Sequence, residues 1–270
     1  MELGLHTGSI MYTNLVTDIR VARETGWDAI EFYIPKLVRY LDAGYSAKDI
    51  LPQMGDLRLG VINSFLHIER QDAEERRRLR QQCQRMCQVA LDLGCPALQV
   101  VALNGLQGEP WPAIRKKMGL SLAELADIAA PFGVRLALEP VTFTPLRTLA
   151  QGLEVLDAAG RANVGLCLDT FHLWTAGSPW EEVARVDPGL IVVAHISDVT
   201  SMQGEMWSDA DRDVLPGDGI LPVKEGIDAI KATGYDGLWC VEMMGAHHWE
   251  WDPYVLAREL RDRASALLGD

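Results

Sequence analysis

Mostly apolar runs alternate along this chain with stretches of helical period. The apolar runs are Leu3–Thr7, Ala29–Ile34, Leu59–Phe65, Ala97–Leu103, Val134–Glu139, Val164–Asp169, Leu190–Ile196 and Leu238–Glu242. Runs of this length, apolar at odd and even positions alike, predict parallel strands covered on both faces. Between them, Leu15–Thr25, Ala47–Met54, Asp72–Leu93, Trp111–Pro131, Leu146–Ala159, Pro179–Val186 and Val223–Thr233 predict helices, and Pro253–Leu268 closes the chain as another. Asp72 is placed to cap its long helix, and Gly94 lies just past that helix's end. Asp198–Gly219 reads as a long loop. Eight strands, each followed by a helix, predict an α/β protein: a single (β/α)8 TIM barrel over residues 1–270. A doubly wound open sheet is the alternative. The run after the first strand, HTGSIMYTN, lacks the G-x-G-x-x-G turn such a sheet usually carries.

Composition narrows the partners more than the fold. Of 270 residues, 48% are hydrophobic and 23% charged, which is ordinary for a globular chain with a substantial core. The net charge of −13 argues against a nucleic-acid partner, which needs a basic footprint. No run approaches the roughly 18 apolar residues of a membrane span. The five cysteines are odd in number and contain no C-x-x-C, so neither a disulfide framework nor a structural zinc site is expected. With an N-terminus, MELGLHTGSI, that lacks a basic region and a long apolar stretch, the expectation is a cytoplasmic protein.

Candidate chemistry sits at the ends of the last four strands. Side chains alternate across a strand with period two. Glu139 therefore shares a face with Ala137, Asp169 with Cys167, His195 with Val193 and Glu242 with Cys240. The intervening positions are aliphatic and suit packing beneath helices. A lone acid at a strand end is commonly a helix cap, and a lone histidine a satisfied core residue. Three carboxylates and an imidazole on consecutive tips are another matter, because bare carboxylates brought together repel strongly once desolvated. A divalent cation removes that conflict, and an O3N donor set suits manganese, magnesium, cobalt or zinc. Beyond these, His172 lies three residues past Asp169, and Arg212 falls in the long loop. Asp198 is placed either to orient His195 or to end its strand. Trp111, Trp174, Trp180, Trp207, Trp249 and Trp251 fall in segments after strands, the face where barrel active sites form. Either a sugar-stacking wall or inter-subunit packing would use them. His6, His67, His247 and His248 also lie near strand ends.

With these residues in view, the chain resembles the xylose-isomerase-like barrels of sugar isomerases and epimerases. ALEP at Glu139, CLDTFH at Asp169, VAHISD at His195 and CVEM at Glu242 match the Glu, Asp, His and Glu ligands of that family. The run SDADRDVLPGDGILP (Ser208–Pro222) matches a further family segment, and the combination is most similar to the inosose isomerase branch. The resemblance implies a cation on Glu139, Asp169, His195 and Glu242. It implies Glu139 and Glu242 as the acid–base pair, moving a proton beside a ketone through a cis-enediolate. It implies substrate contacts from His172 and Arg212, to which His6 and Trp111 are added as candidates. The implied substrate is a small ketose or inosose, and the implied assembly a homodimer or tetramer. A dehydratase on a keto-polyol is the alternative, since it abstracts the same proton and then expels a β-hydroxyl. An apurinic-site endonuclease shares the barrel but conflicts with the acidic charge.

Overall fold

A computed structural model describes residues 1–269. Eight parallel strands close into a barrel in chain order: β1 Glu2–His6, β2 Ala29–Tyr33, β3 Arg58–Leu66, β4 Ala97–Val101, β5 Arg135–Leu138, β6 Val164–Asp169, β7 Ile191–Ile196 and β8 Leu238–Val241. The helices α1 Leu15–Glu24, α2 Ile34–Asp42, α3 Leu51–Met54, α4 Ala73–Leu93 and α5 Trp111–Ala129 follow the first four strands. The remainder are α6 Leu149–Ala159, α7 Thr170–Thr175, α8 Trp180–Val183, α9 Val223–Ala232 and α10 Pro253–Leu268. Asp72 caps α4 through the Glu74 and Glu75 amides, and Gly94 closes it in a left-handed conformation, as their positions in the sequence predict.

The predicted alternation of faces is realised. Outward aliphatic residues such as Leu136, Leu138, Leu166 and Leu168 join the large core between barrel and helices. Inward residues form a separate apolar cluster of Ala29, Val61, Ala97, Ala137, Cys167, Val193, Leu238 and Cys240. This second cluster fills the barrel axis. Small residues make room for it: a Cβ on Gly60 would lie 2.2 Å from Leu238, and one on Gly4 2.6 Å from Cys240 Sγ. The register shift between Ile30 and Glu31 inserts Gly60 as the extra residue of β3. The five cysteines are buried and unpaired, and among the described residues no helix is long and apolar enough to cross a membrane.

Two helices occupy segments where the sequence pattern predicts none. Helix α2 begins directly after β2 with Pro35 in its first turn, a position where the missing amide costs nothing. Helix α7 follows β6 without a loop, because the Asp169 carboxylate accepts the amides of Phe171 and His172. Helix α2 also carries the buried Lys36. Its ammonium donates to the Thr7 and Ile10 carbonyls at 2.9 and 2.8 Å and pairs with Asp18 at 3.1 Å. This cation pins the segment that follows β1 from beneath. Burial lifts the Asp18 carboxyl to about 6 against the opposing pull of Lys36.

Lys36→Met should cost about 3–5 kcal/mol in urea unfolding, since it strands a buried carboxylate. Adding Asp18→Leu should recover part of that loss. A Lys36→Met protein as stable as the parent would show that the pair contributes nothing.

Candidate metal centre

Above the apolar plug, every strand contributes one buried polar side chain near its C-terminal end. These are His6, Glu31, Asn63, Gln99, Asp169 and His195 on β1, β2, β3, β4, β6 and β7, with Glu139 and Glu242 immediately after β5 and β8. The four residues singled out at the last four strand tips converge. One ligand atom from each of Glu139, Asp169, His195 and Glu242 lies within 4.8 Å of all the others. His195 Nδ1 stands 3.2 Å from Glu242 Oε2, 3.7 Å from Glu139 Oε1 and 3.8 Å from Asp169 Oδ2.

The local structure leaves oxygens of the carboxylates facing this point. Asp169 Oδ1 is used by the α7 cap at 2.7 and 3.1 Å, so Oδ2 turns inward, where Ser197 Oγ donates to it at 2.8 Å. Glu139 Oε2 accepts from Gln99 Nε2 at 2.8 Å, which leaves Oε1 on the cluster. Glu242 Oε2 accepts from Arg212 Nη2 at 2.8 Å, and Oε1 faces His6 Nε2 at 3.6 Å.

Electrostatics set these groups against one another. Burial, then repulsion from Glu242 and Asp169, push the Glu139 carboxyl well above the ordinary range. Burial opposes ionisation of Glu242 too, but Arg212, His6 and His195 outweigh it and hold that carboxyl well below its ordinary range. His195 is raised: burial alone would strip its proton, but Cys167, Glu31 and Glu242 retain it. The donor set is three carboxylates and one imidazole, buried, convergent and short of positive charge. It fits a divalent cation.

Other predicted residues fall around a cavity of about 150 Å³ above the cluster, whose lining includes Tyr33, Asn63, Gln99, Phe143, His172 and Arg212. Arg212 is buried and binds Asp169 Oδ2, Ser197 Oγ and Glu242 Oε2 with one nitrogen, while Phe171 covers it with its ring centroid 5.1 Å away. His172 accepts the Thr142 amide at Nδ1, which directs Nε2 away from the backbone. His6 accepts the Gly8 amide at Nδ1, so its buried Nε2 carries the proton and lacks a partner.

Some expectations need correcting. Trp111 is not part of this cavity; its indole donates to Glu154 at 2.8 Å on the outer helices. Trp174, Trp180, Trp207, Trp249 and Trp251 do not line it either: the first three pack against the outer core, Trp249 meets Tyr12, and Trp251 meets His248. Asp198 does not orient His195. It accepts the Val199, Gly217, Gly219 and Leu221 amides and so ties down the loop that carries Arg212. His67 pairs with Glu69, and His248 with Asp213, outside the cluster. Glu31, Asn63 and Gln99 complete this polar ring, and the strand pattern alone does not single them out. Their common signal is a polar residue that interrupts an otherwise apolar stretch of strand, as in AIEFY, GVINSF and ALQVV.

His195 and Glu139 both hold protons beyond their ordinary ranges, and an incoming cation must displace them. Cation uptake should therefore release protons and tighten as pH rises. Calorimetry with zinc or manganese in buffers of different ionisation enthalpy, from about pH 5.5 to 8, reads this directly. Uptake without proton release, or affinity that falls with pH, would contradict the assignment.

The chain is similar over most of its length to several known proteins. The model of the xylose isomerase-like TIM barrel family matches residues 19–263. An inosose isomerase of Halalkalibacterium halodurans is 27% identical over 242 residues, covering 88% of this chain and 86% of its own. An L-ribulose 3-epimerase of Mesorhizobium japonicum is 28% identical over 250 residues, covering 87% of this chain and 78% of its own. The crystal structure of the IolI protein, which holds a zinc atom, superposes with a TM-score of 0.93 at 25% identity, covering 100% of this chain and 98% of that one. The chain belongs to the xylose isomerase-like TIM barrel family.

Proposed function

We propose that this protein is a divalent-metal-dependent isomerase or epimerase that moves a proton beside the ketone of a small unphosphorylated sugar or cyclitol, with an inosose as the leading candidate. One observation carries the reading: Glu139 and Glu242, from strands on either side of β6 and β7, bring carboxylate oxygens to the same buried point as Asp169 and His195. The likeness to an inosose isomerase and an L-ribulose 3-epimerase supports the substrate class.

When bound, a divalent cation supplies Lewis-acid polarisation of a ketone oxygen and the neighbouring hydroxyl. Zinc, manganese, cobalt and magnesium all suit the donor set. The chain's own residues supply the proton transfer. Glu139 or Glu242 removes the proton on the α-carbon, and the other returns one to a neighbouring carbon or the opposite face. Arg212 stays charged: burial opposes it, but Glu242, Asp169 and Asp209 favour it, and it faces the charge that develops on the enediolate oxygens. His172, kept neutral by burial, lines the cavity and is placed to hydrogen-bond a hydroxyl, whereas His6 is fully buried outside that lining. The apolar plug below excludes water from the deep side.

The site also argues about charge. Among the described residues Arg212 is the only basic side chain other than histidine lining the cavity, and it is already engaged by Asp169, Asp209 and Glu242. Nothing else there grips a phosphate or carboxylate, so a neutral polyol fits better than a sugar phosphate or a keto-acid. The cavity is small beside the roughly 300–1,000 Å³ of drug-sized sites. A DNA backbone would meet a net charge of −13.

Metal-loaded protein incubated with inososes and ketoses in deuterated water should give product of unchanged carbon skeleton with solvent deuterium on the reacting carbon. A product lighter by one water would turn the assignment to a dehydratase. Glu139→Gln and Glu242→Gln, assayed at saturating metal, should each lower kcat by about 10²–10⁴-fold. Full activity in either would remove that residue from the acid–base pair. A ketose phosphate should be turned over far more slowly than the free ketose; equal kcat/KM would show an anion grip that the cavity lining does not contain.

A further inference from the structure

Glu31 is buried at 0% exposure on β2, three strands away from His195 around the barrel by way of β1 and β8. It is nonetheless in direct contact with that imidazole. Its Oε2 stands 3.0 Å from His195 Nε2, while its Oε1 accepts from Asn63 Nδ2 at 2.7 Å. Asn63 thus occupies one oxygen and aims the other at the ring. Beneath the pair lies the apolar plug, with Ala29 and Val61 the nearest inward residues on the same two strands. Among the described residues His195 Nε2 has no other hydrogen-bond partner.

We infer that Glu31 is the positioning residue of the metal centre: it holds the His195 proton on Nε2 and thereby presents the Nδ1 lone pair to the cation. This rests on the reading of Glu139, Asp169, His195 and Glu242 as metal ligands. The argument is one of donors and acceptors. A carboxylate only accepts, so the nitrogen facing Glu31 must carry hydrogen. A neutral imidazole carries one ring hydrogen, and Nδ1, facing Glu242, Glu139 and Asp169, is then bare when the cation arrives. The negative charge behind the ring also strengthens Nδ1 as a donor. Glu31 touches no reacting atom.

The two contributions separate by substitution. In Glu31→Gln the amide oxygen still accepts from Nε2 once the Asn63 amide turns over, so the tautomer survives and the charge is lost. In Glu31→Leu both are lost. Zinc affinity, measured by competition with a chromogenic chelator, should fall by about 10–100-fold in Glu31→Leu, with Glu31→Gln between it and the parent. Nitrogen-15 NMR of the zinc-loaded parent, which needs no variant, should show the His195 proton on Nε2 and zinc on Nδ1. Circular dichroism and thermal melts of the metal-free variants identify any that fail to fold. Parent-like affinity in folded Glu31→Leu, or zinc found on Nε2 in the parent, overturns the role of Glu31 while leaving the metal site standing. A parent protein that takes up neither zinc, manganese nor cobalt overturns both.

Discussion

Like charges brought together without water are the constraint around which this molecule is arranged. Glu31, Glu139, Asp169 and Glu242 are all almost completely buried, and all face the barrel axis near one end. At the few-ångström spacings seen here, their repulsion in a low-dielectric interior exceeds what an ordinary hydrogen-bond network offsets. The protein meets part of the conflict itself. Arg212 reaches in from a loop, and two imidazoles stand among the acids. The remainder shows in Glu139, which burial and its neighbours drive toward the protonated state. A site left short of positive charge by its own sequence is preorganised for a cation, because the carboxylates are already held where a cation would collect them.

Barrel closure is what makes the concentration of charge possible. An open sheet would spread eight strand ends along a line, whereas closure brings them round one axis. The apolar plug then matters as much as the polar ring. Leu238, seated where Gly4 and Gly60 leave space, keeps water from reaching the acids from below. Above that plug, among the described residues, Glu31 is the hydrogen-bond partner of His195 Nε2. Fold and chemistry therefore share one layer of small and aliphatic residues.

The legible part of this arrangement was the part written in short-range pattern. Continuous apolar runs announced parallel strands, and period two placed Glu139, Asp169, His195 and Glu242 on the inward face; these four do converge. What escaped was set by longer-range or local competing terms. Glu31 escapes any local pattern, because its partner lies 164 residues away along the chain. Helix α2 was hidden by Pro35, which reads as a breaker but serves a first turn. Helix α7 was hidden because Asp169 serves as cap and cluster member at once, one oxygen for each. Trp111 looked like part of a substrate wall from its place after a strand. Its indole found a carboxylate on the neighbouring helix instead, and no spacing rule reports that.

Arg212 shows how the loop after β7 is bound into the centre. Its Nη2 lies on Asp169 Oδ2, on Glu242 Oε2 and on the Glu242 carbonyl, so it stands on oxygens that the proposed cation would also claim. A cation and a guanidinium cannot draw fully on the same carboxylate oxygens, and each weakens the other's hold. The loop cannot simply withdraw. Asp198 ties its far end through the Gly217, Gly219 and Leu221 amides, and the Asp211 carboxylate accepts the Gln203 and Ser208 amides within it. Arg212 therefore remains over the site, with its own Nε buried and unpaired. It is left with one donor that no described group accepts. In the proposed reaction, a guanidinium held so beside a carboxylate cluster would stabilise negative charge on a bound oxygen more than a neutral hydroxyl. That difference between transition state and ground state is the form of interaction that accelerates a reaction rather than merely binding its substrate.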